Sequence, residues 1–223
     1  MEKLVKGILD FRLNLLQNYR EKFAHLALGQ FPDTLFIACS DSRVVPNLFA
    51  STNPGDLFVL RNVGNLIPPY ATAVHEATAE AAAIDFSLTT LPIANIIVCG
   101  HSECGAMHAI LSGMDKIESP SLKHWLQNCC SKEHLHEAHG RVKCDHLAIH
   151  NQLSQMNILQ QMDHLRTYPI IQEKLKNNSL NIHGWYFDIA TGDVYAFEEA
   201  FNRFIIIDET EASQILERLK HGQ

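Results

Sequence analysis

His101 and Cys104 stand three positions apart in Ile96-Ile97-Val98-Cys99-Gly100-His101-Ser102-Glu103-Cys104-Gly105. A His-x-x-Cys pair can bring an imidazole nitrogen and a thiolate around one ion. The apolar run before it reads as a buried strand that Gly100 breaks, so the pair should sit at the strand's carboxyl end. Two ligands do not hold zinc, and the best third is Cys39, in Leu35-Phe36-Ile37-Ala38-Cys39-Ser40-Asp41-Ser42-Arg43. That is a second apolar strand ending in a cysteine. If the two strands are parallel neighbours, both carboxyl ends reach the sheet edge where open α/β folds place their sites.

Two thiolates and one imidazole suit Zn²⁺ in tetrahedral geometry. Three protein ligands leave the fourth position for water, the catalytic pattern. Zinc makes hydroxide available near neutral pH. Two thiolates already neutralise the ion's formal charge, so that ionisation should lie higher than on a tris-histidine zinc, and activity should rise into alkaline pH. Asp41 has two possible uses. It can fill the fourth position itself as a resting state, or it can pair with Arg43 and orient the nucleophile. The planar guanidinium of Arg43 suits a two-point grip on a carboxylate.

The elements that must position these residues follow from periodicity. Residues 1 to about 27 carry Leu4, Ile8, Phe11, Leu15 and Leu16 at helical spacing. Strands are expected at Leu35–Cys39, Leu57–Val63 and Ile96–Cys99, with turns at Asn53-Pro54-Gly55-Asp56 and Gly64-Asn65. An alanine-rich helix should run from His75 to about Leu88, another from Ala106 to Leu111, and a third from Leu147 to Leu165. Ala190-Thr191-Gly192-Asp193 signals a hairpin between Leu180–Ile189 and Val194–Phe197 at the sheet edge. Residues Glu209 to Lys220 close the chain as a helix. The expected fold class is α/β: a mostly parallel central sheet of about four strands plus an edge strand, flanked by helices, with an N-terminal helical arm over about residues 1–28. No repeat or linker divides the sequence, so one domain is expected over 1–223.

Composition narrows the function. The chain has 223 residues, 46% hydrophobic and 19% charged, with net charge −7. It carries no clustered Lys and Arg of the kind phosphate binding needs, which argues against nucleic acid as partner. No apolar run approaches the ~20 residues of a membrane span. The N-terminus lacks a signal-peptide pattern, so a cytoplasmic location is expected, with cysteines as thiols or metal ligands rather than disulfides.

Cys39-x-Asp41-x-Arg43 with His101-x-x-Cys104-Gly105 resembles the β class of carbonic anhydrases. Pro54-Gly55-Asp56, Arg61-Asn62-Val63-Gly64-Asn65 and His183-Gly184-Trp185 fit the same pattern, from about Gln30 to Phe197. The resemblance implies a zinc lyase that reversibly hydrates CO2 to bicarbonate and a proton, by attack of zinc-bound hydroxide. It implies one Zn²⁺ per subunit on Cys39, His101 and Cys104, with Asp41 and Arg43 as the catalytic dyad. It implies a homodimer or homotetramer with each site near a subunit interface. Gln30 matches a residue that donates to substrate across that interface, and Phe58 and Val63 match apolar walls of the substrate pocket. A second subtype carries an inhibitory bicarbonate site built from a tryptophan, an arginine and a tyrosine. The corresponding Phe36, Arg61 and Phe187 keep only the arginine, so no such site is expected.

Two alternatives stay open at this level. One is a hydrolase of carbon disulfide or carbonyl sulfide using the same metal. The other is a non-catalytic zinc protein whose fourth position Asp41 fills permanently. Cys99 reads as a core residue, and His75, His108 and His183 as surface or packing residues that could at most shuttle a proton. Cys129, Cys130 and Cys144 with His134, His136, His139 and His146 match no zinc spacing and read as an ordinary solvated segment.

Overall fold

The computed structural model describes residues 1–128 and 141–221. The strands are β1 (Thr34–Cys39), β2 (Leu57–Asn62), β3 (Asn95–His101), β4 (Asn181–Phe187), β5 (Val194–Glu198) and β6 (Arg203–Ile206). The helices are α1 (Glu2–Asp10), α2 (Leu16–Leu26), α3 (Pro46–Phe49), α4 (Tyr70–His75), α5 (Ala79–Thr90), α6 (Gly105–Ser112), α7 (Pro120–Leu126), α8 (Ile149–Leu165), α9 (Pro169–Lys176) and α10 (Glu209–His221).

β1 and β3 are apolar on both faces because both faces are covered: every residue of β1 is buried. The sheet runs β2-β1-β3-β4-β5-β6. The first four strands are parallel and the last two antiparallel. The chain leaves β1 toward β2 on one side and places β3 on the other. The order therefore reverses between β1 and β3, and a crevice opens at their carboxyl ends, as open α/β sheets require.

Four expectations need correction. Gly100 does not end its strand, since β3 continues through His101, with Gly100 paired to Tyr186 and His101 to Phe187. Its lack of a side chain serves packing instead. A Cβ there would lie 2.8 Å from Cγ1 of Ile158, and one at Gly184 would lie 2.9 Å from Ile158 Cγ2 and from Met162 Sδ. One isoleucine of α8 thus sits over two glycines on neighbouring strands, which lets a buried helix lie close against the sheet. The alanine-rich helix also starts later than expected. Ala77 adopts φ +51°, and Thr78 caps α5 by accepting from the Ala81 N–H at 3.3 Å, so α4 and α5 are separate. The third correction is the edge. The hairpin forms, with Asp188 N–H donating to the Asp193 carbonyl at 2.9 Å, but β6 lies outside β5. Finally, β6 itself is an additional strand, and Phe204-Ile205-Ile206-Ile207 has strand composition. The expected polar segment from Ser131 lies outside the described residues as far as Gly140.

The contact between α8 and the sheet makes one prediction. Gly184→Ala should lower stability by about 1–3 kcal/mol, the usual cost of overpacking a filled core. A thermal melt checks it.

At the other end of the chain, α1 has no buried residue, and Leu4 and Ile8 are 64% and 65% exposed. A wider helical turn over Phe11–Leu15 joins α1 to α2. The arm exposes an apolar stripe that its own chain does not cover.

Candidate metal centre

The crevice between β1 and β3 receives the three expected ligands. Ala38 pairs with Cys99 across the parallel ladder, so Cys39 ends β1 level with Gly100, one residue before His101. Cys104 then caps the start of α6. One donor atom from each of Cys39, His101 and Cys104 lies within 4.8 Å of the others, and all three residues are buried. The spacing Cys39…His101-x-x-Cys104 therefore converges because two parallel strands end side by side.

The histidine is poised to ligate. A ring nitrogen beside a carbonyl must donate, so His101 Nδ1 carries the proton that it gives to the Ser102 carbonyl at 2.8 Å. Its Nε2 is left as a bare lone pair, buried and without a hydrogen-bond partner. A buried unpaired nitrogen is costly unless something binds it. Hydrogen bonding of the other ring nitrogen to a carbonyl is the usual support of a metal-bound imidazole.

The sulfurs are equally asymmetric. Chiefly the hydrogen bond from Cys104, with further help from the Gly64 and Asp41 backbone, draws the Cys39 thiol down to about 4 against the effect of burial. Cys104 is pushed far up by that same hydrogen bond and by burial, so it keeps the proton between the two sulfurs. Gly64 N–H reaches Cys39 Sγ at 3.4 Å. A cation between the sulfurs would displace that shared proton, and the resulting donor set of two thiolates and one imidazole fits Zn²⁺.

Asp41 and Arg43 form a fork. Arg43 donates from Nε to Asp41 Oδ1 at 2.9 Å and from Nη2 to Oδ2 at 2.7 Å. The Arg43 backbone N–H adds a third bond to Oδ1 at 3.0 Å. This grip holds the Asp41 carboxyl far below the usual carboxylate range. Both oxygens are engaged by Arg43; Oδ1 accepts twice, and Oδ2 keeps a further lone pair. Arg43 also donates to the Glu103 carbonyl at 3.0 Å, tying the β1 loop to the loop that carries the other two ligands.

Several residues around the site hold its backbone in place. Arg61 donates to the carbonyls of Cys39 at 3.0 Å and Asp41 at 2.7 Å, so its guanidinium fixes the backbone of the Cys-x-Asp segment. Phe36 and Phe187 belong to the apolar cluster on the other face of the sheet, where Phe187 stacks on Phe49 at 4.6 Å. α8 supplies a polar stripe. Asn151 Oδ1 accepts from the Glu103 N–H at 2.8 Å, and Ser154 donates to the His101 carbonyl at 2.9 Å. Asn157 donates to the Gly64 carbonyl at 3.1 Å, and Gln161 accepts from the Ile67 N–H at 2.7 Å. The segments after β2 and at the end of β3 are thus fastened to one helix. The available signal is four polar residues at intervals of three and four in a helix otherwise rich in Leu, Ile and Met.

The expected pocket residues are not all gathered in one chain. Val63 adjoins the Gly64 turn, and its carbonyl accepts from Trp125 Nε1 at 2.8 Å. Phe58 pairs with Leu35, whereas Asn62, four residues on, pairs with Cys39. Phe58 therefore lies about 13 Å along the strand from the ligand end, with its ring 5.9 Å from Phe86. Gln30 is exposed and precedes β1 at the end opposite Cys39. Cys99 is fully buried in the apolar cluster with Phe36 and Phe187, and burial raises its thiol pKa. Cys39, Cys99, Cys104 and Cys144 are all free thiols.

Comparison with known proteins agrees with this geometry. The family description "Carbonic anhydrase" matches residues 34–194. A carbonic anhydrase of Synechocystis sp. is 40% identical over 214 residues, covering 92% of this chain and 74% of that protein. The solved β-carbonic anhydrase CcaA superposes with a TM-score of 0.82 at 37% identity, covering 92% of this chain and 98% of that one. One of two tetrameric β-carbonic anhydrases from Sordaria macrospora gives a TM-score of 0.72 at 27% identity, covering 87% and 95%.

Proposed function

This chain belongs to the β-carbonic anhydrase family, and from that premise we propose how it hydrates CO2. Cys39, His101 and Cys104 hold one zinc ion, and Asp41 with Arg43 orients the nucleophile. The observation that carries the reading is the buried, unpartnered Nε2 of His101 beside two sulfurs. Bound there, zinc supplies the Lewis acidity that makes a hydroxide nucleophile available near neutral pH.

The chain's own residues do the rest. Asp41 stays ionised because of Arg43 and uses a remaining lone pair to accept the O–H of the nucleophile, turning its electron pair toward the carbon of CO2. Arg43 keeps that carboxylate from rotating onto the metal, which favours the dyad over permanent ligation by Asp41. Arg61 holds the segment in register. Because it already serves two backbone carbonyls and its aromatic companions lie in a core, the reading includes no inhibitory bicarbonate site at Phe36, Arg61 and Phe187. Val63 contributes an apolar wall for an apolar substrate.

Gln30 and Phe58 join the pocket of a neighbouring copy, which accounts for their distance from the ligands of their own chain. The exposed apolar stripe of α1 supports the same homo-oligomer, a dimer or a tetramer. No helix among the described residues is long and apolar enough to cross a membrane, and we place the enzyme in the cytoplasm.

Stopped-flow CO2 hydration on metal-quantified protein tests the reading. The expected result is turnover proportional to zinc content, absent after chelation and restored by added Zn²⁺. Its pH dependence adds a further prediction. Asp41 is ionised throughout the working range and contributes no change there. Its own stabilising effect is present above the unfolded carboxylate pKa and is lost only as pH falls toward its depressed folded value. The rate should therefore follow the ionisation of the nucleophile and climb from neutral into alkaline pH. A profile flat from pH ~6 to ~9, a span wide enough to contain that ionisation, would contradict it.

A further inference from the structure

We propose that Glu103, His108 and His150 form a second site for a first-row divalent cation, beside the Cys39–His101–Cys104 centre and separate from it. One donor atom from each of the three lies within 4.8 Å of the others. Glu103 stands between the imidazoles, with Oε1 2.7 Å from His150 Nε2 and Oε2 3.4 Å from His108 Nε2. The two rings stack with centroids 4.1 Å apart and planes 27° from parallel, so both Nε2 atoms face the same carboxylate. Two imidazoles and a carboxylate are ligands that Zn²⁺, Cu²⁺ and Ni²⁺ accept. Donors about 2.1 Å from one ion stand roughly 3.0–3.4 Å apart, close to the separations found here. A cation can therefore replace the hydrogen-bonding protons without moving the backbone.

The carboxylate is built into place. Glu103 adopts φ +56°, a conformation that costs a non-glycine residue free energy and persists only when its surroundings hold it. Asn151 holds it twice, accepting from the Glu103 N–H at 2.8 Å and donating from Nδ2 to Oε1 at 3.2 Å. Hydrogen bonding of a ligating carboxylate by such a neighbour orients it for a metal. The side chains of Glu103 and His108 are 52% and 49% exposed and that of His150 17%, so an ion has an open approach and room for waters. Elsewhere His124 Nε2 lies 3.0 Å from Glu76 Oε1, a like ion pair with a single imidazole, which makes it a matched control. The site also touches the dyad's scaffold, because the Glu103 carbonyl accepts from Arg43.

Isothermal titration of the zinc-loaded protein with ZnCl2 tests the proposal. One further ion per chain is expected. Its binding should weaken at least about tenfold in His108→Gln and, separately, in His150→Gln, and stay unchanged in His124→Gln, with the primary zinc retained in all three. Unchanged binding in both ligand variants, or equal weakening in His124→Gln, overturns it. If the ligand variants fail to fold, the imidazole NMR signals of the unsubstituted protein serve instead. Those of His108 and His150 should shift at the lowest Zn²⁺ additions, and other histidines shifting before them overturns the proposal.

Discussion

Cys39→Ala is expected to lose its zinc and, with it, CO2 hydration above the uncatalysed background. The substitution removes one of three ligands. It leaves His101 Nε2 and Cys104 in a buried pocket where Gly64 N–H no longer has a sulfur to meet. Losing a supporting hydrogen bond around a metal typically costs ten- to a hundredfold in affinity, so losing a ligand should exceed about 100-fold. Competition with a chelator measures that directly. The control is Cys99→Ala. Cys99 lies on the neighbouring strand, but its side chain enters the opposite apolar cluster. Its removal should cost about 1 kcal/mol, as for a deleted core methyl group, while zinc and turnover persist. Equal zinc loss in both variants would mean that the fold, not the ligand, had failed.

The second large effect belongs to Asp41→Asn. The side chain keeps its shape but loses its charge, and its amide NH2 now faces Arg43 Nε or Nη2 across a contact built for an acceptor. kcat/KM should fall by about 10²–10⁴-fold, the usual contribution of a positioned proton acceptor. Zinc content should remain that of the unsubstituted enzyme, because Asp41 stands outside the group of three ligands. Loss of metal in Asp41→Asn would instead identify the carboxylate as a ligand, and unimpaired turnover would leave the dyad without a role.

Why some of this is legible in the sequence and some not follows from the range of each interaction. The ligands can be found because strand composition is local. Leu35–Cys39 and Ile96–Cys99 are continuous apolar runs, and their endings in Cys and His are visible in one dimension. Asp41 and Arg43 are also readable, since two residues of separation keep them within reach whatever the rest of the chain does. The break at Ala77 between α4 and α5 is hidden because alanine carries no turn signal, and its positive φ is imposed by the elements on either side. Gly100 misleads for a related reason: a glycine that ends a strand and one that admits Ile158 are the same letter.

By itself, then, the order of residues determined which side chains could grip a soft divalent ion, that their strands would be buried, and that a carboxylate and a guanidinium would pair beside them. Only the tertiary structure decided that β1 and β3 are neighbours at the point where strand order reverses, that α8 fastens the segments after β2 and β3 with one polar stripe, and that Glu103, His108 and His150 meet. The reason is physical. Local propensity acts over a few residues, whereas hydrogen bonds such as Asn157 to Gly64 and Ser154 to His101 exist only after burial has brought distant segments together and left their polar groups no water to bond.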